Sequence, residues 1–243
     1  MPPRSTQIAD ISSRYDDRGR ALSREAPVTG DRVDAGEMTP SIRESAFGER
    51  RAPTMIDRFG VWLSQRQICR WAPSLEGKRI GDFGCGYYAA FARTVLDAAA
   101  SMLLVDVAIS DELKAHPKVR AIEGILPDAL ASVPSASLDV VLCVSVLEHL
   151  WDPLMALREF RRIVAASGVC FFNVPSWRGK AFLEYSAFRL GLSPTEEMND
   201  HKMYYDVSDL WPLLVRAGFR PRNIHCFRHK FGLNTFAVCR PGN

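Results

Sequence analysis

Short apolar runs alternate with helix-like segments along most of the chain. The runs that predict the first five strands lie in KRIGDFGCG, SMLLVDV, KVRAIEG, SLDVVLCVS and GVCFFNVP. The fourth run is continuously apolar, which is typical of a strand covered on both faces of its sheet. Because helical segments separate the strands, the pattern predicts βαβ units and an α/β fold with a mostly parallel sheet.

Apolar residues at helical spacing predict the helices between these strands. AAFARTVLDAA follows the first strand and predicts a helix there. Before the fifth strand, one apolar face comprises Leu150, Leu154, Leu157, Phe160 and Val164. This helix is expected to stop at Ser167 and Gly168, since glycine favours a helix C-terminus.

The two ends of the ordered region carry their own signals. A helix is expected to begin at the N-cap Thr54. Its apolar residues at helical spacing are Met55, Phe59, Trp62 and Cys69. A last helix is predicted over residues 207–217, where Pro212 removes one backbone hydrogen bond and Gly218 is the stop. The final residues predict two strands that turn near 230–232.

Two stretches stand apart from this α/β pattern. Residues 1–50 are polar, with few large apolar side chains, and we expect a disordered tail. A passive tail and a partner-docking arm both remain open for it. The folded domain is expected to span residues 54–243, with an irregular, aromatic-rich insertion at 176–205. That insertion predicts either a cap over the site or a small packing subdomain.

Charge and cysteine content exclude several classes of protein. The net charge is only +3, with acids and bases interspersed, so we expect no nucleic-acid partner. No apolar run approaches the roughly 20 residues of a membrane span, and the first residues contain no apolar core of a secretory signal. The six cysteines form no C-x-x-C pair, so we expect no metal site and a reduced, cytoplasmic setting.

A glycine-containing loop closes the first strand and opens the following helix. It reads Asp82, Phe83, Gly84, Cys85, Gly86, and glycines there let the backbone turn tightly and approach a ligand closely. The same loop also matches the dinucleotide pattern G-x-G-x-x-A. Alone, the loop leaves NAD, FAD, S-adenosylmethionine and a simple tight turn open.

Two acids and one further segment narrow this choice. Asp82 stands two residues before Gly84, where a carboxylate would repel a pyrophosphate but could hold an ammonium group. Asp106 closes the second strand, a position that suits hydrogen bonds to ribose hydroxyls but is shared with NAD-binding proteins. The segment SVLEHL follows the fourth strand directly, and Glu148 in it is placed to favour the dipole of the next helix.

These residues resemble the class I S-adenosylmethionine-dependent methyltransferase family. DFGCG is similar to its first motif, LLVDV to its acidic second motif, and SLDVVLCVSVLEHLWDP to the segment around its fourth strand. HKMYYDVSDLWPLLVRAGF resembles the small-molecule and sugar-modifying branch. The resemblance implies a Rossmann-like, doubly wound seven-stranded sheet with helices on both faces, strand order 3-2-1-4-5-7-6 and an antiparallel strand 7.

The resemblance also implies which residues contact S-adenosylmethionine. They are Asp82, Gly84, Cys85, Gly86, Asp106, Val107, Gly124, Ile125 and Ser145. Two positions depart from the family pattern. Tyr88 stands where a third glycine is usual, and Ile125 falls where an acid often reads the adenine amino group. Backbone amides and packing are therefore expected to hold the adenine, with Glu123 and Asp128 as alternatives.

An enzyme that transfers a methyl group must mainly position the acceptor relative to the methyl donor, because the leaving group is already activated. A hydroxyl or nitrogen acceptor also needs a base to take its proton. The candidates are His201 in the insertion and His149 after the fourth strand. The expected acceptor is a small polar molecule such as a sugar or glycan unit. A nicotinamide-dependent oxidoreductase and a non-catalytic scaffold remain as alternatives, and the sequence predicts no oligomeric state.

Overall fold

The computed structural model describes residues 46–49, 55–182 and 201–242. Helix α1 spans Met55–Trp71, as predicted, whereas its expected N-cap Thr54 lies outside the described residues. The predicted apolar stripe of α1 faces outward, and Met55, Phe59 and Trp62 are all exposed. The helix instead packs on the domain through Ile68, which is 1% exposed.

Seven strands form one sheet that has the predicted order. They are β1 (Arg79–Phe83), β2 (Ser101–Asp106), β3 (Val119–Glu123), β4 (Leu138–Val144), β5 (Val164–Pro175), β6 (Ile224–His229) and β7 (Asn234–Cys239). Their order is β3-β2-β1-β4-β5-β7-β6. Strands β1 to β5 pair in parallel, and β7 runs antiparallel to both of its neighbours. The doubly wound, mostly parallel α/β fold is therefore confirmed.

The helices after α1 lie between the strands. They are α2 (Ala90–Val95), α3 (Asp111–Lys114), α4 (Pro153–Ile163) and α5 (Val207–Arg216). Helix α2 is shorter than the predicted segment. In α5, Pro212 lies inside the helix on its exposed side. None of the helices in the described part of the chain has the length and apolarity needed to cross a membrane.

Helix α4 starts later and stops earlier than its apolar stripe predicts. Asp152 caps it, because Oδ1 accepts a 3.1 Å hydrogen bond from the Met155 amide, and Pro153 occupies the first turn. Leu150 therefore precedes the helix. At the other end, Val164 is already extended and begins β5, so the predicted stop at residues 167–168 is wrong. Leu150 and Val164 nevertheless belong to the same hydrophobic core as the helix, which is why the stripe continued through them.

Two apolar layers cover the two faces of the sheet. One is built around Phe83, Phe160 and Phe172, and the other around Leu104 and Phe171. With both faces covered, ligands have access at the carboxyl edge of the parallel strands. The strand order reverses between β1 and β4, and this switch point is where doubly wound sheets bind their ligands.

Candidate active site

The glycine loop after β1 is held from two sides. The Gly84 amide donates a 2.7 Å hydrogen bond to the Val105 carbonyl of β2. Gly84 has a φ of 70° and Gly86 a φ of 76°, both in the left-handed region that glycine tolerates. A Cβ atom at Gly84 would clash with the side chain of Val146, the second residue after β4. The loop is therefore packed between the ends of β2 and β4.

Asp106 at the end of β2 organises the backbone around this loop. Its Oδ2 accepts a 2.8 Å hydrogen bond from the Gly86 amide, and its Oδ1 accepts one of 2.8 Å from the Val107 amide. Its main-chain carbonyl accepts a 2.9 Å hydrogen bond from the Gly124 amide beyond β3. The structure thus brings Gly86, Asp106, Val107 and Gly124 together, four of the residues named from the sequence.

The segment after β3 presents few polar groups for an adenine ring. Ile125 is 49% exposed, so its side chain offers an apolar surface next to Gly124. The Glu123 carboxylate is already engaged, because Oε1 accepts hydrogen bonds from the Ile109 amide at 2.8 Å and from Lys114 Nζ at 3.2 Å. Glu123 is thereby directed toward α3. The geometry favours backbone and apolar contacts over an acidic side chain at this position.

Asp82 is a buried carboxyl group next to the loop. It is only 6% exposed, and burial, followed by the nearby charge of Asp106, raises its pKa to about 7. Burial likewise raises the pKa of the Cys85 thiol, so this cysteine stays protonated and is not a nucleophile. A ligand with a positive charge near Asp82 would offset the cost of ionising this carboxyl group.

Residues 46–49 pack against the loop, although the sequence pattern placed them in a disordered tail. The Tyr87 amide donates a 2.9 Å hydrogen bond to the Phe47 carbonyl. Ala46 is buried, and its amide donates a 3.0 Å hydrogen bond to Glu49 Oε2, which closes the turn. The only sequence signal was the small apolar pair Ala46–Phe47 inside a polar stretch. Residues 46–49, which precede Thr54, therefore pack on the folded domain.

Ser145 turns the chain from β4 toward the site. Its φ is 58°, an uncommon left-handed value for a residue other than glycine, and its amide donates a 2.7 Å hydrogen bond to the Asn173 carbonyl of β5. Val146 then packs against Gly84, and the 3-10 turn Leu147–His149 follows. Ser145 itself is exposed at the sheet edge.

The two predicted catalytic histidines lie together. The rings of His149 and His201 have centroids 4.8 Å apart and meet edge to face. With Glu148 they form a compact cluster, in which one ligand atom from each residue lies within 4.8 Å of the others. Glu148 is 1% exposed. The sequence pattern assigned Glu148 only to the helix dipole, because nothing local indicates that His201 approaches it.

Backbone hydrogen bonds fix His201 next to this turn. The amides of Lys202 and Met203 donate to the Glu148 carbonyl, at 2.6 and 3.4 Å. His201 Nδ1 and the Tyr204 hydroxyl are 3.0 Å apart and share a hydrogen bond. The Tyr205 amide donates a 2.9 Å bond to the Pro175 carbonyl at the end of β5. Residues 201–205 therefore run across the carboxyl ends of β4 and β5.

The other end of the insertion leaves from the same edge. The Ser176 hydroxyl donates a 2.8 Å hydrogen bond to the Gly232 carbonyl, and Trp177 Nε1 donates a 3.2 Å bond to Asp209 Oδ2. Trp177 also contacts Tyr204, with ring centroids 5.6 Å apart. Residues 183–200, which include Tyr185, lie outside the described residues. The two described ends of segment 176–205 are thus attached at this edge, and a cap over the site stays a prediction.

An open groove of about 470 Å³ lies beside the histidine cluster. Its lining comprises Leu150, Trp151, Pro153, Lys202, Met203, Tyr205, Asp209 and Leu213. The ammonium group of Lys202 lies 5.2 Å from the centre of the Trp151 ring, within cation–π range. The groove combines an exposed aromatic face with one basic and one acidic side chain.

Known proteins share this architecture. A family model described as a methyltransferase domain matches residues 81–172, from β1 into β5. A probable S-adenosylmethionine-dependent methyltransferase of Mycobacterium tuberculosis is 27% identical over 179 residues, which cover 71% of this chain and 60% of the relative. A ubiquinone biosynthesis O-methyltransferase of Ralstonia nicotianae is 34% identical over 160 residues, covering 62% and 66%. This chain therefore spans about 60% of the length of the mycobacterial relative.

Solved structures show the same fold. An S-adenosylmethionine-dependent methyltransferase from Archaeoglobus fulgidus superposes with a TM-score of 0.52 at 15% identity, over 73% of this chain and 93% of that one. The sheet order, the loop after β1 and these matches together define the class of protein. The chain contains a methyltransferase domain and is similar to the class I S-adenosylmethionine-dependent methyltransferase family.

The cofactor of this family is S-adenosylmethionine, and the residues at the sheet edge fit it. A buried carboxyl group, Asp82, lies where a cationic methionine moiety would stabilise its ionised form. Asp106, at the neighbouring strand end, is oriented by two backbone amides and could accept further hydrogen bonds from ribose hydroxyls. The exposed side chain of Ile125 offers an apolar surface that would suit an adenine ring.

Proposed function

We propose that this protein transfers a methyl group from S-adenosylmethionine to a hydroxyl oxygen of a small polar acceptor, such as a sugar or glycan unit. The observation that carries the proposal is the position of His149 and His201. Val146 packs against the Gly84 position of the cofactor loop, and His149 lies three residues further on. Three residues span at most about 11 Å, so the histidines lie within reach of the cofactor site.

The chain's own residues hold and orient the reactants. Asp82, Asp106 and the glycine loop bind and orient S-adenosylmethionine at the sheet edge. The cofactor supplies a methyl group whose bond to sulfur breaks with both electrons left on sulfur, while an acceptor lone pair forms the new C–O bond. Orientation of this kind accounts for much of the rate enhancement in a displacement with an activated leaving group.

The acceptor's proton must leave as the new bond forms. We assign the removal of this proton to the cluster of Glu148, His149 and His201. When no metal ion is bound to the cluster, His201 is the preferred proton acceptor. Tyr204 is 6% exposed and orients the His201 ring through their 3.0 Å hydrogen bond. Histidine is the side chain most often used as a general base.

The groove beside the cluster suits a hydroxylated acceptor. Trp151 is 66% exposed and offers an aromatic face of the kind on which a sugar ring packs. Lys202 and Asp209 line the same groove and supply one donor and one acceptor of hydrogen bonds. The relative from Ralstonia nicotianae is named an O-methyltransferase, which supports an oxygen acceptor.

The six cysteines are free thiols, in agreement with a cytoplasmic protein.

A methyl-transfer screen tests this function. The full chain is incubated with S-adenosylmethionine and a panel of sugars, glycan fragments and phenols, and release of the demethylated cofactor is measured. Turnover with a hydroxylated acceptor is expected, and His201→Ala should lower kcat while leaving cofactor affinity unchanged. The matched control is His225→Ala, an exposed histidine of β6. Cofactor binding without turnover on any acceptor would instead identify a non-catalytic member of the fold.

A further inference from the structure

The cluster of Glu148, His149 and His201 has side chains that could bind a metal ion as well as accept a proton. One carboxylate and two imidazoles each present a ligand atom within 4.8 Å of the other two. The three atoms would have to move only slightly closer together for a single ion to contact all of them at ordinary ligand distances of about 2.0–2.2 Å. Two histidines and one carboxylate form the ligand set of several catalytic zinc sites and of non-haem iron sites.

The cluster is also held in place before any ion arrives. Glu148 and His149 share the short 3-10 turn after β4, and the Lys202 and Met203 amides tie His201's segment to the Glu148 carbonyl. The Tyr204 hydroxyl bonds His201 Nδ1, so coordination through Nε2 would leave this bond intact. Such an outer hydrogen bond to the second ring nitrogen accompanies nearly all metal-binding histidines.

Burial adds an electrostatic reason for a cation at this position. The Glu148 side chain is 1% exposed, and an ionised carboxylate at such a position requires compensating positive charge. A divalent ion bound by both imidazoles would supply positive charge directly at the Glu148 carboxylate.

We propose that Glu148, His149 and His201 bind one divalent transition-metal ion of the zinc class and leave a coordination position open for the acceptor hydroxyl. The role of that open position rests on the proposed function. With the ion bound, both imidazoles are ligands, so the hydroxyl proton passes to solvent water rather than to His201. The O–H bond breaks, the oxygen keeps the electron pair and remains on the ion, and that oxygen then attacks the methyl carbon.

The sequence pattern predicted no metal site because it lacks paired cysteines and a contiguous carboxylate cluster. The ligand set becomes visible only when the fold brings His201 beside the turn after β4. A site with three protein ligands and one open position is the arrangement of catalytic rather than structural zinc.

Direct binding of Zn²⁺ and Co²⁺ to the full chain tests the site without any activity assay. Chelator-treated protein is titrated with Zn²⁺ by calorimetry and with Co²⁺ by visible absorption, with cofactor affinity as the check on folding. Binding of one ion per chain is expected, with a loss of more than 100-fold in His149→Ala and in His201→Ala. Tyr204→Phe, which removes only the outer hydrogen bond, should weaken binding by about 10-fold to 100-fold. His225→Ala, which changes an exposed histidine of β6, should match the wild type.

The outcomes separate this site from the proposed function. If neither ion binds, or if binding survives both histidine substitutions in folded protein, the metal site is wrong, whatever the methyl-transfer screen shows. Because Glu148 is buried, Glu148→Gln serves as its shape-conserving variant and should also reduce Zn²⁺ affinity. Stoichiometric ion binding that depends on these residues would support the metal site even where no acceptor is methylated.

Discussion

The Gly86 amide donates a 2.8 Å hydrogen bond to Oδ2 of Asp106, twenty residues along the chain. The acid at the end of β2 thus holds the backbone of the loop after β1. If Asp106 also binds the ribose of the cofactor, as we propose, its carboxylate has both a structural and a ligand-binding role. Structural and binding effects of Asp106 are therefore coupled, and a test of its role must measure both.

Asp106→Ala should weaken S-adenosylmethionine binding. A lost hydrogen-bonded carboxylate costs about 1.5–3 kcal/mol, which corresponds to roughly 10-fold to 150-fold in affinity. Because the Gly86 and Val107 amides lose their acceptor, a lower melting temperature is expected as well. Calorimetric titration and thermal unfolding check both effects, with exposed Asp97→Ala as the control. An unchanged dissociation constant in a folded variant would remove Asp106 from the cofactor site.

Gly84→Ala should damage cofactor binding far more than Gly77→Ala. Both glycines have left-handed φ values, 70° and 65°, so both substitutions carry a backbone cost of about 1–2 kcal/mol. A Cβ atom at Gly77 meets nothing within 4 Å, whereas at Gly84 it meets Val146. Only Gly84→Ala should therefore displace the chain that leads to His149. The comparison is made by measuring melting temperature and cofactor affinity for both variants, and equal affinities would contradict the close packing.

The stability of the unliganded protein should fall as pH rises toward 7 because of Asp82. Its pKa in the folded chain is about 7, above the ordinary 3.8, so the folded state holds this proton more tightly than the unfolded state. The resulting contribution to the free energy of unfolding is complete below about pH 4 and is lost as pH rises through about 7. Urea unfolding from pH 4 to 8 should show this step, and Asp82→Asn should lack it.

Cofactor binding should have the opposite pH dependence. The ammonium of S-adenosylmethionine favours ionised Asp82, so the dissociation constant should fall by about 10-fold or more between pH 5.5 and 7.5. This range keeps much of the ligand's amino group protonated, since such groups titrate near 7.7–8.0. Calorimetry on wild type and Asp82→Asn gives the comparison. A flat wild-type profile would show that the ammonium binds elsewhere.

Two N-terminal deletions should differ in their effect. Removing residues 2–44 should leave cofactor affinity unchanged, whereas removing 2–50 should lower it, because the Tyr87 amide then loses the Phe47 carbonyl. The polar composition of the first 44 residues offers little apolar surface to bury. Cofactor titration of both proteins is the measurement. If the longer deletion binds as well as the shorter, the 46–49 turn has no part in shaping the loop.

Local patterns predicted the strands well for a physical reason. A run such as SLDVVLCVS is buried on both faces, so its residues alone indicate β4, and the family resemblance supplied the strand order. Helix α1 shows where the pattern misleads, since its spaced apolar residues Phe59 and Trp62 stack on each other at the surface rather than in the core. Helical spacing indicates a helix but not which of its faces is buried.

The sequence pattern did not predict several contacts between segments that lie far apart along the chain. Asp106 and Gly86 belong to recognisable motifs, so their proximity was expected. The approach of Phe47 to Tyr87, and of His201 to Glu148, depends on main-chain hydrogen bonds that no side-chain pattern records. His149 and His201 were each candidates, but their pairing required the fold.

The two anchors of the 176–205 insertion allow its middle to vary independently during evolution. Ser176 is tied to the Gly232 carbonyl at one end, and Lys202 is tied to the Glu148 carbonyl at the other. Doubling the length of a loop between fixed ends costs only about 0.6 kcal/mol. Relatives could thus differ in the length and sequence of the stretch between these two attachment points, and could methylate different acceptors. His201 would keep its position beside the turn after β4.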